Sequence, residues 1–74
     1  MTRAEIAFNK WAIAVGAKFR WTQHVRKTGG SEWSGPICGF YSTQGTPIGY
    51  CVESECHKGS VQIWPEAALE PTDD

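Results

Sequence analysis

The sequence predicts an all-β fold, a small barrel of about five short strands. Two observations carry that expectation. Eight glycines and four prolines in 74 residues break the chain into short elements joined by tight turns. From Phe19 onward the apolar residues recur at a period near two, the repeat of a half-buried strand. A chain of this length makes one domain, which buries only roughly 60% of the surface its unfolded form exposes. Little interior is left for a deep pocket. A sizeable ligand must therefore sit on a surface or between copies of the chain.

Thr2-Arg3-Ala4-Glu5 has the spacing of a capping box, and Phe8, Trp11, Ala12 and Val15 follow it at helical spacing. Gly16 is placed to end the run. The first segment, residues 1–22, is thus expected to hold a short helix over Arg3–Val15, the alternative being a loosely ordered tail. A first strand is expected over Gln23–Lys27, followed by a turn at Thr28-Gly29-Gly30-Ser31. Trp33 to Tyr41 reads as a longer strand with Trp33, Ile37 and Tyr41 on one face. Gly35-Pro36 and Gly39 mark a bulge or sharp bend in it. After the loop Ser42–Pro47, a third strand runs from Ile48 to Glu55 with Ile48, Tyr50 and Val52 inward. His57-Lys58-Gly59 is a turn, Val61–Trp64 a fourth strand, and Pro65–Ala68 one helical turn before a last short strand at Leu69-Glu70. One long bent hairpin and a helical turn before the last strand describe an SH3-like barrel over residues 23–71. Residues 72–74 are an acidic tail.

The formal charge of −1 argues against a nucleic-acid surface, which needs dense Lys and Arg. The one basic cluster, His24-Val25-Arg26-Lys27, reads most plainly as a solvated strand end. No apolar run approaches the length of a membrane span, and the first residues lack the form of a signal peptide. The expected location is cytoplasmic. Cys38, Cys51 and Cys56 form no Cys-x-x-Cys pair, and a zinc site with His57 has poor geometry, so small buried thiols are expected and no metal.

No Ser/His/Asp or Cys/His set has a plausible orienting partner, and no Gly-rich phosphate loop joins a strand to a helix. Glu32, Glu53, Glu55, Glu66 and Glu70 fall at turns or on the outer face, and none has the burial or close charged neighbours that a catalytic acid requires. An enzyme built this way works by positioning, with a cofactor supplying the reactive atom. The stretch best suited to line a ligand is Ser60-Val61-Gln62-Ile63-Trp64. Strand alternation puts Ser60, Gln62 and Trp64 on one side, a polar and aromatic face, backed by the β-branched Val61 and Ile63 on the other. The plainer reading of Gln62 is an exposed strand amide.

The span from Val25 to about Leu69 resembles the type II dihydrofolate reductases, small plasmid-borne enzymes associated with trimethoprim resistance. The matching segments are Val25-Arg26-Lys27, Trp33-Ser34-Gly35, Gly39-Phe40-Tyr41, Thr46-Pro47, Gly49-Tyr50, Val52-Glu53-Ser54-Glu55, and His57 with Gly59-Ser60-Val61-Gln62-Ile63. Pro65 and Ala67-Ala68-Leu69 continue the match. The resemblance implies an SH3-like barrel assembled into a homotetramer of 222 symmetry, whose one central pore brings NADPH and dihydrofolate together.

It also implies roles. Gln62 is the pore-lining amide touching pterin and nicotinamide, and Ile63 offers its backbone N–H and C=O; these two are the expected catalytic residues. Lys27 is the cation near the pore mouth for the cofactor phosphates and the glutamate tail of the folate. Ser60, Val61 and Trp64 join them in lining the pore. His57 and Phe40 fall at subunit contacts, His57 having a solvent-exposed turn histidine as its plainer reading. The sequence departs from the family at several positions. Trp64 stands where the family has tyrosine, Phe40 where it usually has tryptophan, Lys58 in place of a proline and Glu66 in place of an apolar residue. Cys51 and Cys56 occupy small-residue positions. The alternative function is a non-catalytic SH3-like interaction module.

Overall fold

Apolar residues at the third and fourth places of a helical repeat need a surface to cover, and the barrel supplies one. The computed structural model describes residues 1–30 and 32–72. Expectations for Ser31 in the first turn and for Asp73 and Asp74 in the tail lie outside the described residues. Helix α1 spans Arg3–Val15, starting at Thr2, whose hydroxyl accepts from the Glu5 N–H at 3.1 Å. It stops at Gly16, which takes a left-handed φ of 69° that other residues adopt at a cost. The loosely ordered alternative is excluded by Phe8. Its ring is fully buried among Trp11, Trp21, Phe40 and Tyr50, with ring centroids 5.5–6.2 Å away.

Among the described residues five antiparallel strands follow: β1 (His24–Lys27), β2 (Ser34–Tyr41), β3 (Gly49–Glu53), β4 (Val61–Pro65) and β5 (Leu69–Pro71). Their spatial order is β4-β3-β2-β1-β5, and a 3-10 turn at Glu66–Ala68 separates β4 from β5. This is the small SH3-like barrel the sequence predicts. The last strand runs one residue further than expected, because Pro71 pairs with Val25.

The bend in β2 is a bulge. Ile37 pairs with Val52 and Gly39 with Cys51, which leaves Cys38 as an extra residue. The first part of β2 pairs with β1 and the second with β3, so one strand serves both halves of the barrel. The extra residue also corrects one expectation. Tyr41 lies on the face opposite Ile37, its ring over Gly49, because two successive residues share the outer side at the bulge. Phe40 takes the inner position, opposite the buried Tyr50. Gly35, at φ 156°, sits where a Cβ would meet the Glu53 carbonyl, so only glycine lets the strands cross so closely.

The core comprises Phe8, Phe19, Val25, Ile37, Tyr50, Val52 and Leu69. One polar network closes over it. The Tyr50 hydroxyl donates to Glu66 Oε2, the Lys18 N–H donates to the same oxygen at 2.8 Å, and the Phe19 N–H donates to the Tyr50 oxygen at 3.3 Å. Glu66, in the turn before β5 as expected, thereby ties that turn to the segment after α1. Burial first, and the Glu66 hydrogen bond second, push the Tyr50 hydroxyl from 10.0 up to about 12. A raised acid of this kind stabilises the fold fully below the unfolded-state value and loses that contribution as pH rises through the folded-state one. Thermal melts should thus show stability falling between pH 10 and about 12, with a shallower fall in Tyr50→Phe. An identical alkaline slope in that variant would assign the loss to other groups.

Candidate functional site at the open edge of β4

Among the described residues, strand β4 pairs on one side only, with β3. Two bonds flanking it fix which backbone groups face which way. The Ser54 N–H donates to the Ser60 carbonyl at 2.8 Å, and the Glu66 N–H donates to the Ile48 carbonyl at 3.1 Å. Ser60, Gln62, Trp64 and Glu66 are thus in register to bond toward β3, because antiparallel ladders alternate with period two. Val61 and Ile63 consequently turn their N–H and C=O to the open edge. Pro65, which has no N–H, falls at the next outward position, where an edge strand tolerates it.

The side chains divide as alternation demands, but their burial reverses the sequence picture. Trp64, paired with Tyr50, packs half-buried against the core, and Gln62, paired with Val52, is exposed on that same side. The β-branched residues do not back the strand from inside. Val61 is 48% and Ile63 56% exposed, on the face they share with Cys51 and Glu53. Apolar side chains beside unpaired backbone groups mark an edge suited to further pairing.

Lys27 comes to this strand from β1. Its side chain shares the barrel's inner side with the buried Leu69, its partner in register, and its Nζ stands 4.3 Å from the centroid of the Trp64 ring. The Lys27 N–H donates to the Trp33 carbonyl at 2.9 Å, which fixes the end of the strand. Lys27, Trp64, Gln62 and the Ile63 edge are thereby brought to one end of the molecule.

The turn before β4 is tightly organised. Ser54, a buried polar residue, accepts from the N–H groups of Cys56 and His57 at 3.1 Å, and Glu53 accepts from the Gly59 N–H at 2.7 Å. Glu55 accepts from the Ser34 hydroxyl at 2.9 Å and contacts His24 Nε2 at 2.8 Å, fastening the turn to β1 and β2. The Ser34 bond first, and His24 second, hold the Glu55 carboxyl below its usual range. His57 and Ser60 are exposed in this turn. Phe40 is half-buried, its ring stacked at 4.6 Å and 14° on Trp11 of the same chain.

Local sequence pattern does not reveal the contacts between Lys27 and Trp64, Tyr50 and Glu66, or His24, Ser34 and Glu55. Each joins residues far apart in the chain, for which local spacing carries no signal. The buried-thiol expectation is also corrected. Cys38 and Cys51 are half-buried, their thiols pushed up by burial, while Cys56 is exposed in the turn after β3. Among the described residues no helix is long and apolar enough to cross a membrane.

An open strand edge of this kind offers backbone donors and acceptors to a further strand or to a ligand carrying an amide-like pair of its own, and the neighbouring cation suits an anionic group. The fold and the edge define a small β-barrel that binds through its backbone. Comparison with known proteins identifies the chemistry. The family model described as R67 dihydrofolate reductase matches residues 2–73. Two Escherichia coli proteins, each named dihydrofolate reductase type 2, are similar over most of the chain. One is 51% identical over 61 residues, covering 82% of this chain and 78% of its own length. The other is 57% identical over 54 residues, covering 73% and 69%. The chain belongs to the R67 dihydrofolate reductase family. It is a dihydrofolate reductase acting with a nicotinamide cofactor, which sets aside the non-catalytic interaction module.

Proposed function

We propose that the chain reduces dihydrofolate to tetrahydrofolate with NADPH, inside a central pore shared by four identical chains of 222 symmetry, and that trimethoprim does not inhibit it. The carrying observation is the free backbone edge at Ile63 beside the exposed Gln62 amide. The carboxamide of a nicotinamide ring and the amide-like edge of a pterin are planar donor–acceptor pairs that match Ile63. The Gln62 side chain, which both donates and accepts, serves either ligand. NADPH fits this set, since Lys27 adds a cation for its phosphates and for the glutamate tail of the folate.

A single chain supports this only by assembling. Gln62 and Ile63 line neither the groove of about 620 Å³ beside Lys27 nor the one of about 640 Å³ beside α1. Enclosure comes from symmetry copies, which also cover Val61 and Ile63. Ser60 and Val61 line the pore, and His57 and Phe40 lie at subunit contacts.

Bound NADPH supplies the hydride. The chain orients the two rings through Gln62 and Ile63 and excludes bulk water with the apolar edge. The proton is taken from solvent: Glu53, Glu55, Glu66 and Glu70 are engaged within the fold by Gly59, by Ser34 and His24, by Tyr50 and Lys18, and by Arg26, and Glu32 lines a groove that Gln62 and Ile63 do not. The working location is the cytoplasm, where folate and NADPH meet. The test is loss of NADPH absorbance with dihydrofolate, with and without trimethoprim, alongside the mass in solution. Turnover by tetramers that trimethoprim leaves unchanged is expected. Turnover by single chains would refute the pore. His57→Glu would bring four like charges together at the contact, so sedimentation should show the tetramer of that variant loosened. An unchanged tetramer in that variant would remove His57 from the contact.

A further inference from the structure

We propose that Trp64 acts on ligands through Lys27: its indole face seats the Lys27 ammonium, which makes Trp64 a positioning residue and not a ligand contact. The proposal rests on the NADPH reading above and names how this chain accomplishes it with tryptophan. A tryptophan recognises a ligand with its ring face or its N–H. The face is taken, since Lys27 Nζ stands 4.3 Å from the ring centroid. The N–H is buried with no hydrogen-bond partner among the described residues, so it has no path to a ligand in the open edge.

What remains is the ring's hold on a cation, for which tryptophan is the strongest of the aromatic residues. Lysine is otherwise a point charge on a flexible stem. Here the stem is confined at both ends. Its backbone is fixed through the Trp33 carbonyl and the pairing with Leu69, and its ammonium lies between the indole and Gly30. A Cβ at Gly30 would stand 2.8 Å from Nζ, so glycine keeps that side clear. An anionic group arriving at the edge meets a charge already in place, and less ordering has to occur on binding.

The test combines a ligand-free signature with a double-mutant cycle, each variant checked by circular dichroism and mass. Without ligand, the ε-methylene protons of Lys27 should resonate upfield of those of a free lysine, through the indole ring current. The displacement should persist in Trp64→Phe and vanish in Trp64→Leu. In NADPH titrations Trp64→Leu should weaken binding roughly threefold to tenfold beside Lys27, and less than about twofold in a Lys27→Met background. Equal losses in both backgrounds, or an unshifted methylene in the unaltered chain, overturn the proposal. Should Trp64→Leu fail to fold, the unaltered chain and Trp64→Phe still decide by their shifts. An upfield methylene in a chain that binds no NADPH refutes the cofactor reading and leaves the seat standing.

Discussion

Replacing Gln62 by leucine is expected to weaken NADPH and dihydrofolate together, each by roughly tenfold to a hundredfold. The side chain is exposed on the strand whose outer edge is open, and its removal takes no contact from the core. What it removes is a group that donates and accepts in the one strip both ligands must use. The apolar replacement also leaves the ligands' own polar edges unpaired, which makes the loss larger than that of one average hydrogen bond. Folding should be nearly untouched, so thermal melts of the variant and its parent should coincide. Separate titrations of the two ligands are the measurement. If one ligand lost affinity while the other kept it, the symmetric shared strip would be the wrong description, and two distinct subsites would have to exist.

The second large effect concerns the helix rather than the edge. Phe8→Ala should cost about 3–5 kcal/mol, the usual range for a fully buried phenylalanine. Phe8 is the point at which α1 enters the aromatic cluster, touching rings from α1, the segment after it, β2 and β3. For a domain of this size that loss lowers the melting temperature by something on the order of 15–30 °C. Ile13→Ala on the same helix is the control. Ile13 is 84% exposed, and its truncation should shift the melt by no more than a few degrees. A mild shift in Phe8→Ala would mean that the barrel stands without its helix.

The helix was legible because its signals are local. Thr2, Glu5 and Gly16 lie within the reach of capping rules, and the structure begins and ends α1 at the residues they indicate. The strands were legible for a similar reason, each bounded by glycine, proline or a polar cluster. Facing was harder. Tyr41 went to the wrong side because a bulge adds one residue without any unique sequence mark, although Gly39 showed that the strand had to deviate. Burial along β4 was misjudged because an isolated hydrophobic pattern does not say whether the covering surface belongs to the same chain. The contacts of Glu66 leave no local mark, since its partners, Tyr50 and Lys18, lie 16 and 48 residues away. Gln62, Ile63 and Lys27 came from family resemblance, and their geometric relation only from the fold.

The additional residue at Cys38 has a consequence for how the chain tolerates change. Deleting that single residue would leave Ile37 opposite Val52 and Gly39 opposite Cys51 in unbroken alternation, so Phe40 stays beneath Trp11 and Tyr41 over Gly49 while the strand loses its bend. A one-codon deletion there should therefore spare the seat of the helix and strain the sharing of β2 between the two halves of the barrel, which a thermal melt and the Trp11 fluorescence would separate.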